Sequence, residues 1–499
     1  MGGGWDRRKI MPLWPNQQVL TTGPSVAIPI QNFQKFLIET QATEMNIKEC
    51  EDIIVKCEDI MWKTSNKFLS WKEFLEFVSS SELFMMKETE ESPSEDMTKP
   101  LSHYFINSSH NTYLSGNQIN SYSSVEEYIK ALEGGCRCVE LDCWDGPDGE
   151  PIIYHGLFHL PITFTSQILV KDVLAAVKKY AFKTSEYPVI LSIENHISDK
   201  RQEETMANHM KDILGDYLFT DSVDQNRDCL LSPEDLKNKV LIKAKKTNEK
   251  YKVFNETLNS LVNYCEALKF NSLDEERNFW QMFSLKESQA LEISECETKS
   301  KKLAIKNTTN LSRVYPEATN VDSSNFDPFP FWSLGCQMVA LNFQGEDDKI
   351  QHNRAVFRQN GGCGFVLKPE YLTCKVTQYS SSTATYETKM DLKLQLISGQ
   401  HLGKDVMVEV NVLGHPADKF TWTSAQKNGF CPVWEEEVEL SVRRPQLAVL
   451  EFKVLTSFSR LIGSYSVAFP LVQKQKGYRN IRLENYDGTN NAGNLFIKL

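Results

Sequence analysis

The chain has 499 residues, more than one hydrophobic core usually fills, so several domains are expected. A formal net charge of -11 and the lack of any sustained basic stripe exclude a nucleic-acid binder, and any attraction to anionic lipid has to be local. Twelve cysteines in so long a chain make no disulfide scaffold; with Cys136 and Cys138 in an apolar, strand-like stretch, a reducing cytoplasmic setting fits.

Residues 1–25 read as a tail. No apolar run approaches the ~20 residues of a membrane span, and a signal-peptide core is missing. In Met1-Gly2-Gly3-Gly4-Trp5-Asp6, Asp6 stands where a myristoylation signal wants Ser or Thr. Residues 26–86 read as helical, with Phe33, Phe36 and Leu37 at helix-face spacing. Ser70 and Glu73 form a candidate capping box, with Leu69 and Phe74 placed for a hydrophobic staple. No segment there matches the acidic calcium loop of an EF-hand. Residues 87–99, rich in Glu, Ser and Thr, read as an exposed linker.

From Pro100 onward short apolar strands alternate with amphipathic segments such as Val173 to Tyr180. Examples are Cys138 to Trp144, Val189 to Ile193 and Val240 to Lys243. That alternation predicts βα units around a parallel sheet, and the length suits a TIM-type barrel. After about Cys374 the pattern changes to period two, as in Asp391 to Leu396, with Gly, Pro and Asn turns. An all-β sandwich is expected there.

Several strands carry polar residues where apolar ones belong. Glu140 and Asp142 are two apart and share a face; Lys243 with Lys245 and Arg313 with Tyr315 repeat that spacing. Glu194 ends an apolar run and precedes Asn195-His196. One such pair alone reads better as a structural ion pair, but acids and bases at several strand ends point to the mouth of a barrel.

Ordered motifs then carry a resemblance. Pro100-Leu101-Ser102-His103-Tyr104-Phe105-Ile106-Asn107-Ser108-Ser109-His110-Asn111-Thr112-Tyr113-Leu114 resembles the opening of the eukaryotic phosphoinositide-specific phospholipase C barrel. Cys136 to Gly146 and Glu194-Asn195-His196 continue its first half. Asp322-Ser323-Ser324-Asn325, Gly335 to Gln344 and Arg358 to Gly364 resemble its second half. The resemblance implies a first barrel half (X) over 100–246, a linker over 247–258, and a second half (Y) over 259–374. A C2-type sandwich over 385–499 and a degenerate EF-hand-like region over 26–86 complete the layout. With no pleckstrin-homology domain before the helices, it is nearest the zeta type or a shortened delta type.

By motif, Asn111, Glu140, Asp142 and Glu194 are implied calcium ligands, all hard oxygen donors. His110 resembles the histidine that stabilises pentavalent phosphorus, and His155 the general acid for the diacylglycerol oxygen. Glu140 or Glu194 would take the proton of the inositol 2-hydroxyl. Lys243, Lys245, Ser284, Arg313 and Tyr315 match head-group positions. The implied activity is calcium-dependent hydrolysis of phosphatidylinositol 4,5-bisphosphate by a monomer that associates peripherally with membranes. Ile119 and Leu291 match apolar rim positions.

Three departures stand out. An insertion, Leu157 to Ile162, follows the His155-Gly156 pair, and its Leu157, Phe158, Leu160 and Ile162 either extend the apolar rim or fold back as packing. The linker between the halves is too short to cover the mouth as well as connect strands. Of the C2 loops, Gly403-Lys404-Asp405 keeps one carboxylate and Thr456 to Arg460 none. Two rival readings are a catalytically impaired phosphoinositide-binding scaffold and a calcium-dependent membrane-targeting module. The first is opposed by the retained histidines and ligands, the second by the stripped C2 loops.

Overall fold

In the computed structural model, which describes residues 28–57, 68–85, 92–156, 164–246, 256–374, 389–418, 420–424 and 431–499, the spacing of Phe33, Phe36 and Leu37 becomes one buried face of helix α1 (Ile30–Glu39). Helices α2 (Ile47–Cys57) and α3 (Trp71–Ser79) follow. Ser70 caps α3 reciprocally: its side chain accepts from Glu73 N at 3.3 Å while Glu73 Oε2 accepts from Ser70 N at 2.5 Å. Leu69 and Phe74, the two staple positions, are fully buried. The helical reading of 26–86 lacked one element, an antiparallel pair between Ile28–Pro29 and Phe68–Leu69. It brings the segments flanking the helices together.

The chain divides into two compact units, the described residues of Glu91–Thr388 forming one and those of Met1–Glu90 with Lys389–Leu499 the other. The first is a barrel. Its parallel strands are β1 (Ser108–Ser109), β2 (Cys138–Trp144), β3 (Val189–Asn195), β4 (Val240–Lys243), β5 (Glu266–Leu268), β6 (Gln281–Lys286), β7 (Ser312–Tyr315) and β8 (Met338–Leu341). Each pairs with the next, β8 pairs with β1, and the Ala244–Glu266 bridge closes β4 onto β5. The near-continuous apolar runs are explained by burial on both faces, as all seven residues of β2 are buried. Val139, Leu141, Leu191 and Ile242 join the helix Val170–Tyr180 in one core.

Much of the second-half motif is structural. Gly364 has φ +84, and a Cβ there would lie 2.2 Å from Gly135 O, so only glycine fits. Asn360 Oδ1 accepts from Ser94 N and Glu95 N at 2.9 Å each, and Glu95 Oε2 accepts from Leu367 N at 2.6 Å. Residues 92–99 are therefore pinned to the barrel, with Met97 buried, where the sequence reading has only an exposed linker. Side-chain acceptors satisfying backbone N–H groups at this distance in sequence leave no periodic trace.

In the other unit, eight antiparallel strands run from Met390–Gln400 to Asn490–Lys498, and Ile397 and Phe496 pack against Phe33, Phe36 and Phe77 of the helices. No helix among the described residues is long and apolar enough to cross a membrane.

Candidate active site

Parallel register sets the site. Glu140 of β2 lies beside Ser192 of β3, and Ser192 beside Lys243 of β4; two residues on, Asp142 lies beside Glu194. Alternation along each strand keeps these rows on one face. The carboxylate oxygens of Glu140, Asp142 and Glu194 come within 4.8 Å of one another. Glu140 Oε2 accepts from Asn111 N at 3.0 Å and from Arg313 Nη2 at 2.7 Å. The Tyr113 hydroxyl donates to Asp142 Oδ2 at 2.7 Å, while Asp142 Oδ1 is buried with no hydrogen-bond partner among the described residues. Asn111, held at φ +42, donates Nδ2 to Gln118 Oε1 at 2.7 Å, which leaves its Oδ1 as an acceptor.

Three carboxylates in one enclosure do not ionise alike. Burial, then the charges of Glu194 and Glu140, pushes Asp142 well above the ordinary carboxylate value. Burial also pushes Glu140 up, but Arg313 and then His110 outweigh it and hold Glu140 below its ordinary value. For Glu194, whose side chain is half exposed, the hydrogen bond from His196 at 3.2 Å overrides burial and brings it to about 2. The set of hard oxygens, with one buried carboxylate oxygen unsatisfied, fits a calcium ion.

His110 Nδ1 lies 2.9 Å from Asn342 Oδ1. That oxygen also accepts from Gln118 Nε2 at 3.4 Å, so the ring nitrogen facing it carries the proton. Burial lowers the His110 pKa, with Glu140 opposing. Burial and then His110 lower that of His155, whose backbone N–H donates to Thr165 Oγ1 at 3.3 Å.

Among the cations, Lys243 is buried and donates to Ser192 Oγ at 2.9 Å. Arg313 lies 5.6 Å from the Tyr315 ring centroid, and the register sets Ser284 of β6 beside Arg313. Lys245, just after β4, is exposed. The structure therefore draws Asn111, Glu140, Asp142, Glu194, His110 and Arg313 into one cluster, with Lys243 in its register row and Ser284 and Tyr315 flanking Arg313.

Models of the phosphatidylinositol-specific phospholipase C X domain and Y domain match residues 97–246 and 258–371, and a C2 domain model matches 390–482. The 1-phosphatidylinositol 4,5-bisphosphate phosphodiesterase delta-4 of Xenopus laevis is 35% identical over 93% of this chain and 68% of its own length. The zeta-1 enzyme of Homo sapiens is also 35% identical, over 91% of this chain and 82% of its own length. The crystal structure of L. pealei PLC21 superposes with a TM-score of 0.81 at 30% identity, covering 99% of this chain and 68% of that one. The chain belongs to the phosphatidylinositol-specific phospholipase C family.

Within this phospholipase C barrel the structure adds residues to which sequence reasoning gave no role. Asn342 and Gln118 orient His110 and Asn111; both are single polar residues in loops, so only the Leu341-Asn342-Phe343-Gln344 motif hinted at either. His196 stacks on Trp144 with ring centroids 4.2 Å apart while it donates to Glu194. Ile119 and Leu291 are each 40% exposed, and Tyr122 (75%) and Phe164 (85%) are more exposed still. Phe164 N donates to Ile119 O at 2.8 Å, so those two share one patch. Leu157, Phe158, Leu160 and Ile162 lie outside the described residues.

Proposed function

We propose that this chain hydrolyses phosphatidylinositol 4,5-bisphosphate to diacylglycerol and inositol trisphosphate through a cyclic phosphate, with calcium held by Asn111, Glu140, Asp142 and Glu194. The observation that carries the reading is the convergence of three carboxylates from two neighbouring strands within 4.8 Å beside His110 and Arg313. When bound, calcium supplies Lewis acidity at the inositol 2-hydroxyl.

Glu140 or Glu194 accepts the 2-hydroxyl proton as that oxygen attacks the adjacent phosphorus, an intramolecular and pre-oriented step. The phosphorus–diacylglycerol oxygen bond breaks, and His155 delivers a proton to the departing oxygen. His110 already commits Nδ1–H to Asn342, so it needs a second proton, on Nε2, to donate to a phosphoryl oxygen. The entering phosphodiester anion favours that proton. Lys243, Lys245 and Arg313 neutralise the ring phosphates, Ser284 adds a hydroxyl and Tyr315 an aromatic face. Water then opens the cyclic phosphate with His155 as base. Glu140 and Asp142 are buried and Glu194 is half exposed, and the exposed Ile119, Tyr122, Phe164 and Leu291 are apolar groups able to enter a bilayer whose head group fills the site.

The test is release of soluble inositol phosphate from mixed micelles containing phosphatidylinositol 4,5-bisphosphate, with calcium and with chelator. Calcium-dependent release supports the reading; no release with retained micelle binding favours the impaired scaffold.

A further inference from the structure

The unit of helices and sandwich has an open cavity of about 350 Å³ between α1, α3 and the segment around Arg479. We propose that it binds a small phosphate-bearing anion, either a lipid head group or a free phosphorylated molecule.

Arg479 is 8% exposed, yet no carboxylate faces it among the described residues. Its Nε donates to Gln475 Oε1 and its Nη1 to Tyr478 O, each at 2.8 Å. Burial alone lowers its pKa, consistent with an unpaired guanidinium. Leaving a buried cation without an anion is unfavourable, and a ligand that supplies one binds with that advantage. Lys474 and Lys476 line the same cavity, are exposed, and make no ion pair among the described residues. The one acid in the lining, Glu82, is drawn to Lys56 at 3.6 Å. In a chain of net charge -11, unpaired cations gathered at one cavity are not the average surface. A planar guanidinium fork with two ammonium groups matches phosphate oxygens, and the apolar walls Leu37 and Phe77 weaken screening inside.

The cations are set by a constrained backbone. Gly477 has φ +78, and a Cβ there would lie 2.2 Å from Gln41 Oε1. The buried Gln41 side chain accepts from Tyr478 N at 2.7 Å and donates to Tyr478 O at 3.0 Å. This clamp fixes the turn carrying Lys474 and Lys476, and the start of the strand Tyr478–Glu484 that carries Arg479, onto the end of α1, the pre-organisation that a binding site needs.

Calorimetric titration of the full chain with pyrophosphate in chelator tests the proposal, with pelleting on phosphatidylcholine vesicles with and without phosphatidic acid. Pyrophosphate binding should persist in Lys243→Ala and weaken about tenfold or more in Lys474→Ala/Lys476→Ala and in Arg479→Gln. Phosphatidic-acid-dependent pelleting that the same variants abolish identifies a lipid head group; pyrophosphate binding without pelleting identifies a free molecule. The double variant alters exposed side chains alone, so its result stands if Arg479→Gln unfolds. Absence of binding in the parent protein, unchanged binding in the double variant, or loss in Lys243→Ala would overturn the proposal.

Discussion

Arg313 Nη2 lies 2.7 Å from Glu140 Oε2, with side chains only 4% and 3% exposed. A buried pair of this kind is costly to break because the surviving charge has no water to turn to. Arg313→Ala should therefore destabilise the protein by about 3–5 kcal/mol. It also leaves Glu140 without its cation beside Asp142 and Glu194, so calcium should raise the melting temperature more in the variant than in the parent. Calorimetry with calcium and with chelator reads both effects. An equal calcium shift in the two proteins would show that Arg313 does not bear on the ion site.

The raised pKa of Asp142 sets a pH dependence. Native Asp142 keeps a proton that the unfolded chain releases, so this stabilisation is full below the ordinary carboxylate value and is lost as pH rises through the raised one. In chelator, melting temperature should fall with rising pH across that window, and Asp142→Asn should flatten the fall. Glu140 and Glu194 act oppositely at lower pH: their contribution, present above the ordinary value, is lost as pH falls, toward about 2 for Glu194. Calcium needs the carboxylates without protons, so its affinity should rise over the Asp142 window. Calcium titrations at several pH values check this; a flat affinity would remove Asp142 from the ligand set.

Much of this site is legible in the sequence because strands have a fixed period. Glu140 and Asp142 two apart must share a face, and so must Arg313 and Tyr315. The inter-strand register is not legible: that Glu194 meets Asp142 rather than Glu140 depends on how β2 and β3 align. Lys245 keeps the spacing of Lys243 but follows the strand and is exposed, since period-two reasoning does not say where pairing stops. Motif membership also overstates function. Arg137, within the first-half motif, is fully buried and donates to Ala181 O and Leu132 O, and Gln337 donates to Ser102 O and Asn307 O. Both close backbone ends inside the barrel, a task with no local sequence signal.

His110 and His155 should be needed for turnover but not for binding the ion. His110→Ala and His155→Ala are each expected to lose at least ~10²-fold in turnover. Calcium affinity should stay near the parental value, in contrast to Glu140→Gln, which loses both. Near-parental turnover in a folded His155→Ala protein would move the general acid elsewhere. His159, in the insertion, would be the next to test.

The rim can be separated from the chemistry. Tyr122 and Phe164 are 75% and 85% exposed, so changing both to Ser removes little packing within the barrel. Each large apolar side chain that enters lipid gains roughly 1.5–3 kcal/mol. The double variant should therefore bind phosphatidylcholine vesicles containing phosphatidylinositol 4,5-bisphosphate at least ~10-fold more weakly. Interfacial turnover should fall with it, while melting temperature and cleavage of a soluble inositol phosphodiester stay unchanged. Ile119 is less suited to this test, because its carbonyl accepts from Phe164 N and it is only 40% exposed. Changing Leu157, Phe158, Leu160 and Ile162 to Ser in a second variant asks whether the insertion belongs to the same rim. A matching loss of vesicle binding at constant melting temperature would join it to Phe164, and a large drop in melting temperature would assign it to packing instead.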